Sequence, residues 1–250
     1  MQPKDQALDV WGEFACFTRP EFKVERFSYP VPTPSAVRGI YDAIYCKPKE
    51  FRWQVTSIEI LSSPAYIALR RNEVKDKVDV NAVDRWIQGD GEPAPIWADG
   101  VPKELRTDMK GRTQRQTTAL RNVRYRLHAE IRPWPGFEGK LQGIEEQFRR
   151  RARSGKCIYQ PCFGCREFPA YFELVEVGAP PSQPVDWTQD VGLMLYDVFD
   201  LSRPGSPLVT PRDAPSISLF RARVEHGIMA VPPYEDALRA PMAPDGGAHA

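Results

Sequence analysis

Hydrophobic and polar residues alternate clearly at four places along the 250-residue chain. From Leu8 to Phe17, Val10, Phe14 and Cys16 fall on one face and Trp11, Ala15 and Phe17 on the other, which predicts a strand. Arg52 to Leu61, carrying Trp53, Val55, Ile58 and Ile60, predicts a second. The plainest alternation interleaves Val123, Tyr125, Leu127, Ala129 and Ile131 with Arg124, Arg126, His128 and Glu130, giving one apolar face and one polar, mostly cationic face. Arg166 to Val177, with Phe168, Ala170, Phe172 and Leu174 on one face, predicts a fourth strand. Between the first two strands the spacing changes to three and four. Val37, Ile40 and Ile44 make one helical stripe, with Thr33 as N-cap, Pro34 at the first helical position and Pro48 as the stop. Leu141, Ile144, Phe148 and Ala152 mark another amphipathic helix, ended by Ser154-Gly155.

The order is strand–helix–strand, a long insertion, then strand–helix–strand. It predicts an α+β fold, a ferredoxin-like (RRM-like) split βαβ domain over residues 1–177. The insertion, at about 62–116, holds no lasting periodicity and is too long for a plain connection. The proline-rich stretch 178–188 leads into strand-like segments at Val191–Leu201 and Ser216–Val231, with Glu225-His226-Gly227 as a hairpin turn. These predict a small antiparallel β-sheet domain over 178–232, followed by a disordered tail, 233–250. Such a fold hosts many functions and decides none.

Composition narrows the class. With 42% hydrophobic and 27% charged residues the chain is globular, and its 25 prolines argue against a helical bundle. No apolar run approaches the ~20 residues of a membrane span, and the opening Met-Gln-Pro-Lys-Asp-Gln has no signal-peptide pattern. Five cysteines, an odd and sparse set, fit free thiols in a reducing cytoplasm. The net charge of +1 hides an asymmetry. Residues 1–172 carry 29 Lys and Arg against 22 acids, whereas 173–250 carry 5 against 11. An anionic partner for the first part, or contact between the two parts, is implied.

The strongest chemical signal is basic. Lys110, Arg112, Arg115, Arg121, Arg124 and Arg126 occur in a stretch with no acid, and Arg149, Arg150, Arg151, Arg153 and Lys156 form a second cluster. One such run is more often a solvated helix face. Two runs flanking a split βαβ pattern favour phosphates, and Arg166 joins the candidates for RNA contact. Tyr159, Phe163 and Phe168 are candidates for base stacking. Cys157, Cys162 and Cys165 have a C-x4-C-x2-C spacing without the fourth cysteine of an iron–sulfur site, so small thiols around a tight Gly164 turn are preferred to a metal. No nucleotide-binding glycine motif or nucleophile elbow occurs. His128, His226 and His249 are scattered, each more often structural than catalytic.

Several phrases carry a family resemblance. They are Trp11-Gly-Glu-Phe-Ala-Cys-Phe-Thr-Arg-Pro20, Lys23-Val-Glu-Arg-Phe-Ser-Tyr29, Ile44-Tyr45-Cys46-Lys47-Pro48, Arg71-Asn72-Glu73-Val74, Phe148-Arg-Arg-Arg-Ala-Arg-Ser-Gly155 and Gln160-Pro-Cys-Phe-Gly-Cys-Arg-Glu-Phe-Pro169. Across residues 8–232 the chain resembles the Cas5d proteins of subtype I-C CRISPR systems. The resemblance implies a ferredoxin-like RAMP domain with a small β-rich domain. The implied activity is cleavage of the CRISPR repeat RNA without metal or cofactor, the ribose 2′-hydroxyl being the nucleophile. The implied partners are the crRNA 5′ handle and the backbone and large subunits of the interference complex, with duplex DNA a further candidate, no membrane, and a monomer when isolated.

The family places a tyrosine in the I-Y-x-K-P segment, here Tyr45, and a Lys-His pair just before the second helix, here Lys140-Leu141. Tyr45 and Lys140 are therefore the catalytic candidates. A tyrosine is a poor base at neutral pH and suits hydrogen bonding or positioning. Leu141 departs from the pattern. It also continues the stripe Leu141-Ile144-Phe148, which implies core packing, and His128 is the candidate to replace the histidine in space. Three functions follow: a repeat-specific endoribonuclease, a binding and assembly subunit whose cleavage is slow or lost, and a zinc- or nucleic-acid-binding regulator outside CRISPR.

Overall fold

The computed structural model describes residues 2–22, 25–74, 78–93, 112–205 and 216–239. Strand β1 (Gln6–Ala15) buries Leu8 and Val10 and exposes Trp11 and Glu13. It starts and ends two residues earlier than its pattern predicts. Ala15, Cys16 and Phe17 are all buried because loop 161–169 folds over them, and the Cys16 amide donates to the Phe163 carbonyl at 3.0 Å. That approach requires glycine at 164, where φ is +79° and a Cβ would lie 2.1 Å from the Cys16 oxygen. After a two-residue strand β2 (Arg26–Phe27), helix α1 (Pro34–Ile44) begins as predicted. The Ala36 amide donates to the Thr33 hydroxyl at 3.2 Å, and Pro34 needs no amide partner. The helix ends at Ile44 rather than at Pro48, because Tyr45 is already extended and the Arg151 guanidinium donates to the Ile44 carbonyl at 2.6 Å.

Strand β3 (Phe51–Ile60) follows, then β4 (Tyr66–Val74), α2 (Val80–Ile87) and β5 (Arg112–Pro133). The segment expected to lack regular structure therefore holds a strand and a helix, residues 94–111 lying outside the described part. β5 is 22 residues long, about 70 Å. Its second half lies between β1 and β3, and its first half pairs antiparallel with β4 from Val74↔Arg112 to Tyr66↔Leu120. It changes partner at Asn122, whose φ of 51° marks the irregularity.

Helix α3 (Leu141–Arg153) and strand β6 (Tyr171–Leu174) complete the main layer. Only Tyr171–Leu174 of the predicted fourth strand pairs with β1, the preceding residues being committed to the loop over Cys16. The main path of the sheet runs β6-β1-β5-β3 with neighbours antiparallel. Both helices cover one face, where Tyr41 of α1, Trp53 of β3 and Phe148 of α3 meet with ring centroids 4.7–5.6 Å apart.

Strands β7 (Gln189–Asp197), β8 (Ser218–Val224), β9 (Ile228–Ala230) and β10 (Leu238–Arg239) come last. β7, β8 and β10 form a second antiparallel sheet, whereas β9 extends the main sheet beside β3. The turn at Glu225-His226-Gly227 has φ of +46° at His226 and +78° at Gly227, the left-handed pair a tight hairpin needs. Side chains of both sheets join one buried cluster. The tail expected to be disordered from 233 is built as far as Arg239: Tyr234 is buried and its hydroxyl donates to the Phe199 carbonyl at 3.4 Å. Residues 240–250 lie outside the described part.

Candidate active site

Where α1 ends and α3 begins, a surface pocket of about 590 Å³ brings Tyr45 and Lys140 together with Lys47 and Glu50. Tyr45 is fixed at three points. Its amide donates to the Tyr41 carbonyl at 2.9 Å, its carbonyl accepts from the Trp53 indole at 3.0 Å, and its ring lies 5.6 Å from that of Phe51. Lys140 occupies the N-cap position of α3, with its ammonium 4.9 Å from the centre of the Phe137 ring. No side chain caps this helix start; the chain enters it through a 3-10 turn, Glu138–Lys140, whose Glu138 carbonyl accepts from the Leu141 amide, and Gly139 and Lys140 of that turn line the same pocket.

Lys47 and Glu50 were not among the predicted catalytic residues, although Lys47 stands in the quoted I-Y-x-K-P segment. Lys47 donates to the Glu50 carboxylate at 3.0 Å. That hydrogen bond, aided by the Tyr45 phenol beside it, raises the lysine pKa above its ordinary value, so the ammonium keeps its proton. The pocket thus offers one hydroxyl and two ammonium groups, a surface fitted to a phosphate and an adjacent hydroxyl.

Leu141 does not face this pocket. Its side chain is 3% exposed and belongs to the core with Ile144 and Phe148. His128 lies on the other face of the sheet, where its Nδ1 is 2.6 Å from Asp5 and its Nε2 3.0 Å from Glu59. Burial disfavours the imidazolium, but the hydrogen bond to Asp5, reinforced by Glu59, outweighs burial and raises the pKa. His128 is therefore a polar tie among three segments rather than a neighbour of Tyr45. His226 pairs with Asp186 at 2.9 Å in its exposed turn, and His249 lies outside the described residues.

The basic candidates divide by whether they already have partners. Arg126 makes two hydrogen bonds to Asp9, at 2.7 and 3.0 Å. Arg149 and Arg153 share Glu176, at 3.2 and 2.6 Å, and Arg151 caps α1. Arg150 is exposed and donates to Gln147. Arg121, Arg124, Lys156 and Arg166 are exposed, with no ion pair among the described residues. Arg115 is half-buried on the β4–β5 arm, while Lys110 and the side chain of Arg112 lie outside the described part. Phe163 and Phe168 are not available for stacking, being 0% and 6% exposed in the loop over Cys16; Tyr159 is 55% exposed. Among the described residues no three ligating side chains converge on a metal site, and Cys165 accepts from Arg26 at 3.3 Å.

The comparisons agree with this architecture. A solved structure described as a CRISPR-associated protein superposes with a TM-score of 0.59 at 18% identity, over 95% of this chain and 96% of that one. The fold is thus of a kind found in CRISPR-associated proteins. A family model described as CRISPR-associated protein (Cas_Cas5) matches residues 7–232, and the chain belongs to the Cas5d family. It is 36% identical over 233 residues to the CRISPR pre-crRNA endoribonuclease Cas5d of Mannheimia succiniciproducens, covering 91% of this chain and 94% of that protein. It is 37% identical over 245 residues to the protein of the same name from Thermus thermophilus, covering 93% and 94%.

Proposed function

We propose that this protein is an endoribonuclease that cuts the repeat of precursor CRISPR RNA without a metal ion. On this reading it keeps the 5′ handle of the product, as a subunit of a subtype I-C interference complex beside the backbone and large subunits. The observation that carries the reading is the convergence of Tyr45, Lys47 and Lys140 on one pocket. The strand order β6-β1-β5-β3 with both helices on one face supports a ferredoxin-like core up to residue 177, with the β-rich part 178–232 appended.

The ribose 2′-oxygen attacks the adjacent phosphorus and loses its proton to solvent hydroxide. The bond from phosphorus to the 5′-oxygen breaks, leaving a 2′,3′-cyclic phosphate and a 5′-hydroxyl, whose proton comes from water. Tyr45 orients the 2′-hydroxyl. Lys140 takes the charge growing on the non-bridging oxygens. Lys47, held by Glu50, stabilises the leaving oxygen as a cation, since a lysine with a raised pKa is a poor proton donor at neutral pH.

Single-turnover cleavage of a repeat RNA in EDTA tests this. Tyr45→Phe and Lys140→Ala should each slow cleavage roughly 10²–10³-fold with little loss of binding, and a 2′-deoxy sugar at the cut site should stop it. Wild-type rates in both variants would remove the pocket from the reaction. The burial of Leu141 favours one second reading, a handle-binding assembly subunit that does not cleave, which predicts binding without product in the same assay.

A further inference from the structure

The sheet face away from the helices carries a row that the pocket does not use. Tyr171, Trp11 and Arg124 stand opposite one another on β6, β1 and β5. The two rings are stacked, with centroids 6.4 Å apart and planes 28° apart, and they remain 53% and 37% exposed. Arg124 is exposed and has no ion-pair partner among the described residues. The adjacent row on this face is closed to an anion: Asp9 is occupied by Arg126, Glu173 flanks it, and Arg126 also donates to the Pro180 carbonyl of the connector at 3.3 Å. The connector then ties Ser182 to Glu59 and donates from the Val185 amide to the Ile60 carbonyl. It therefore crosses the face at the level of Arg126 and leaves the aromatic row open.

We infer that the Tyr171–Trp11–Arg124 row is a stacking platform for the bases of single-stranded RNA. Every base has a π-face, so exposed rings on a sheet accept successive bases without reading sequence, and an unpaired arginine beside them meets the phosphate linking those bases. A protein partner would be matched less well, because the charge within the row itself is a cation next to flat aromatic surface, the exposed Glu13 lying two residues further along the same face of β1. Trp11 lies opposite Arg124, nine residues along β5 from Pro133, which pairs with Phe51 near the Tyr45 pocket. Nine strand residues cover about 30 Å. The row is thus a separate contact that would hold unpaired RNA away from the cut site.

Fluorescence anisotropy of the full chain with two labelled probes tests the inference: a short oligouridine, and an abasic ribose-phosphate strand of the same length. Trp11→Ala and Tyr171→Ala should each weaken oligouridine binding about tenfold, leave abasic binding unchanged, and leave the salt dependence of affinity unchanged. Trp11→Phe should retain most of the affinity, and Arg124→Ala should weaken both probes. Wild-type oligouridine affinity in both alanine variants overturns the platform, as does equal loss on the two probes. Loss of assembly with the other complex subunits at unchanged RNA affinity also overturns it, assigning the row to a protein interface. Neither probe contains a repeat or is read by cleavage, so failure here is separate from failure at Tyr45.

Discussion

Leu141 and Lys47 stand at different places around the proposed site, the one buried in the core and the other lining the pocket. Leu141 follows Lys140 directly, yet its side chain is directed into the core, 3% exposed, beneath the helix start that borders the pocket. Leu141→His should therefore lower the melting temperature, at a cost of about 1–3 kcal/mol, with no gain in single-turnover rate. A faster variant would mean that the new imidazole reaches the pocket. In the proposed reaction Lys47 acts through charge. Lys47→Arg should keep most of the activity and Lys47→Ala should lose it, roughly 10²–10³-fold, and the wild-type rate should rise with pH without an imidazole inflection near ~6.5. Their motifs made Tyr45 and Lys140 legible as candidates, and both line the one pocket. The role of Lys47 was not, because its meeting with Glu50 and Tyr45 depends on α1 stopping at Ile44, four residues before the proline expected to stop it. Trp11 and Tyr171 were equally hidden, since alternation assigns faces but does not say which face stays uncovered.

At the level of elements, patterns were readable where one face is buried. α1, α3, β3 and the second half of β5 carry full stripes of core residues and lie within a few residues of their predicted positions. β4 was missed because it forms an arm with the first half of β5, and none of its described side chains is fully buried. The strand expected over Arg166–Val177 shrank to four residues because Phe163 and Phe168 anchor a loop rather than a ladder. His128 gives the sheet a pH dependence. It links Asp5, just before β1, to Glu59 of β3 from its position on β5, and its folded pKa is raised above the unfolded value. The stabilisation from this tie is complete below about pH 6.5 and is lost as pH rises through the folded pKa. The wild-type protein should therefore lose stability relative to His128→Gln as pH increases from 6 to 9 in denaturant titrations. Parallel curves for the two proteins would show that the imidazolium contributes nothing.

Across the whole molecule, the charge asymmetry seen along the chain is partly spent inside it. Arg38 of α1 donates from Nε to Asp197 of β7 at 2.7 Å in a buried pair, Arg52 meets Glu235, and Arg149 and Arg153 converge on Glu176. Each of these joins a cation of the basic part to an acid of the acidic part. Of the two alternatives the sequence left, contact between the parts is thus seen in these pairs. Only part of the two basic runs is left without an ion pair among the described residues: Arg121, Arg124 and Lys156, with Arg166 beyond them, are exposed, whereas Arg126, Arg149 and Arg153 are already paired. Counterion release sets the expected difference. Each phosphate neutralised on a single strand contributes about 0.7 to the slope of log K against log salt. Replacing Arg121, Arg124 and Arg166 together with alanine should lower that slope by about 2 for repeat RNA. Replacing Arg149 and Arg153 should change it little, because their charge is already balanced by Glu176 and removing them releases that carboxylate rather than a phosphate. Should the two variants lose slope equally, the Glu176 pairs must open on binding, and the ion pairs of the free protein would no longer mark which arginines meet RNA.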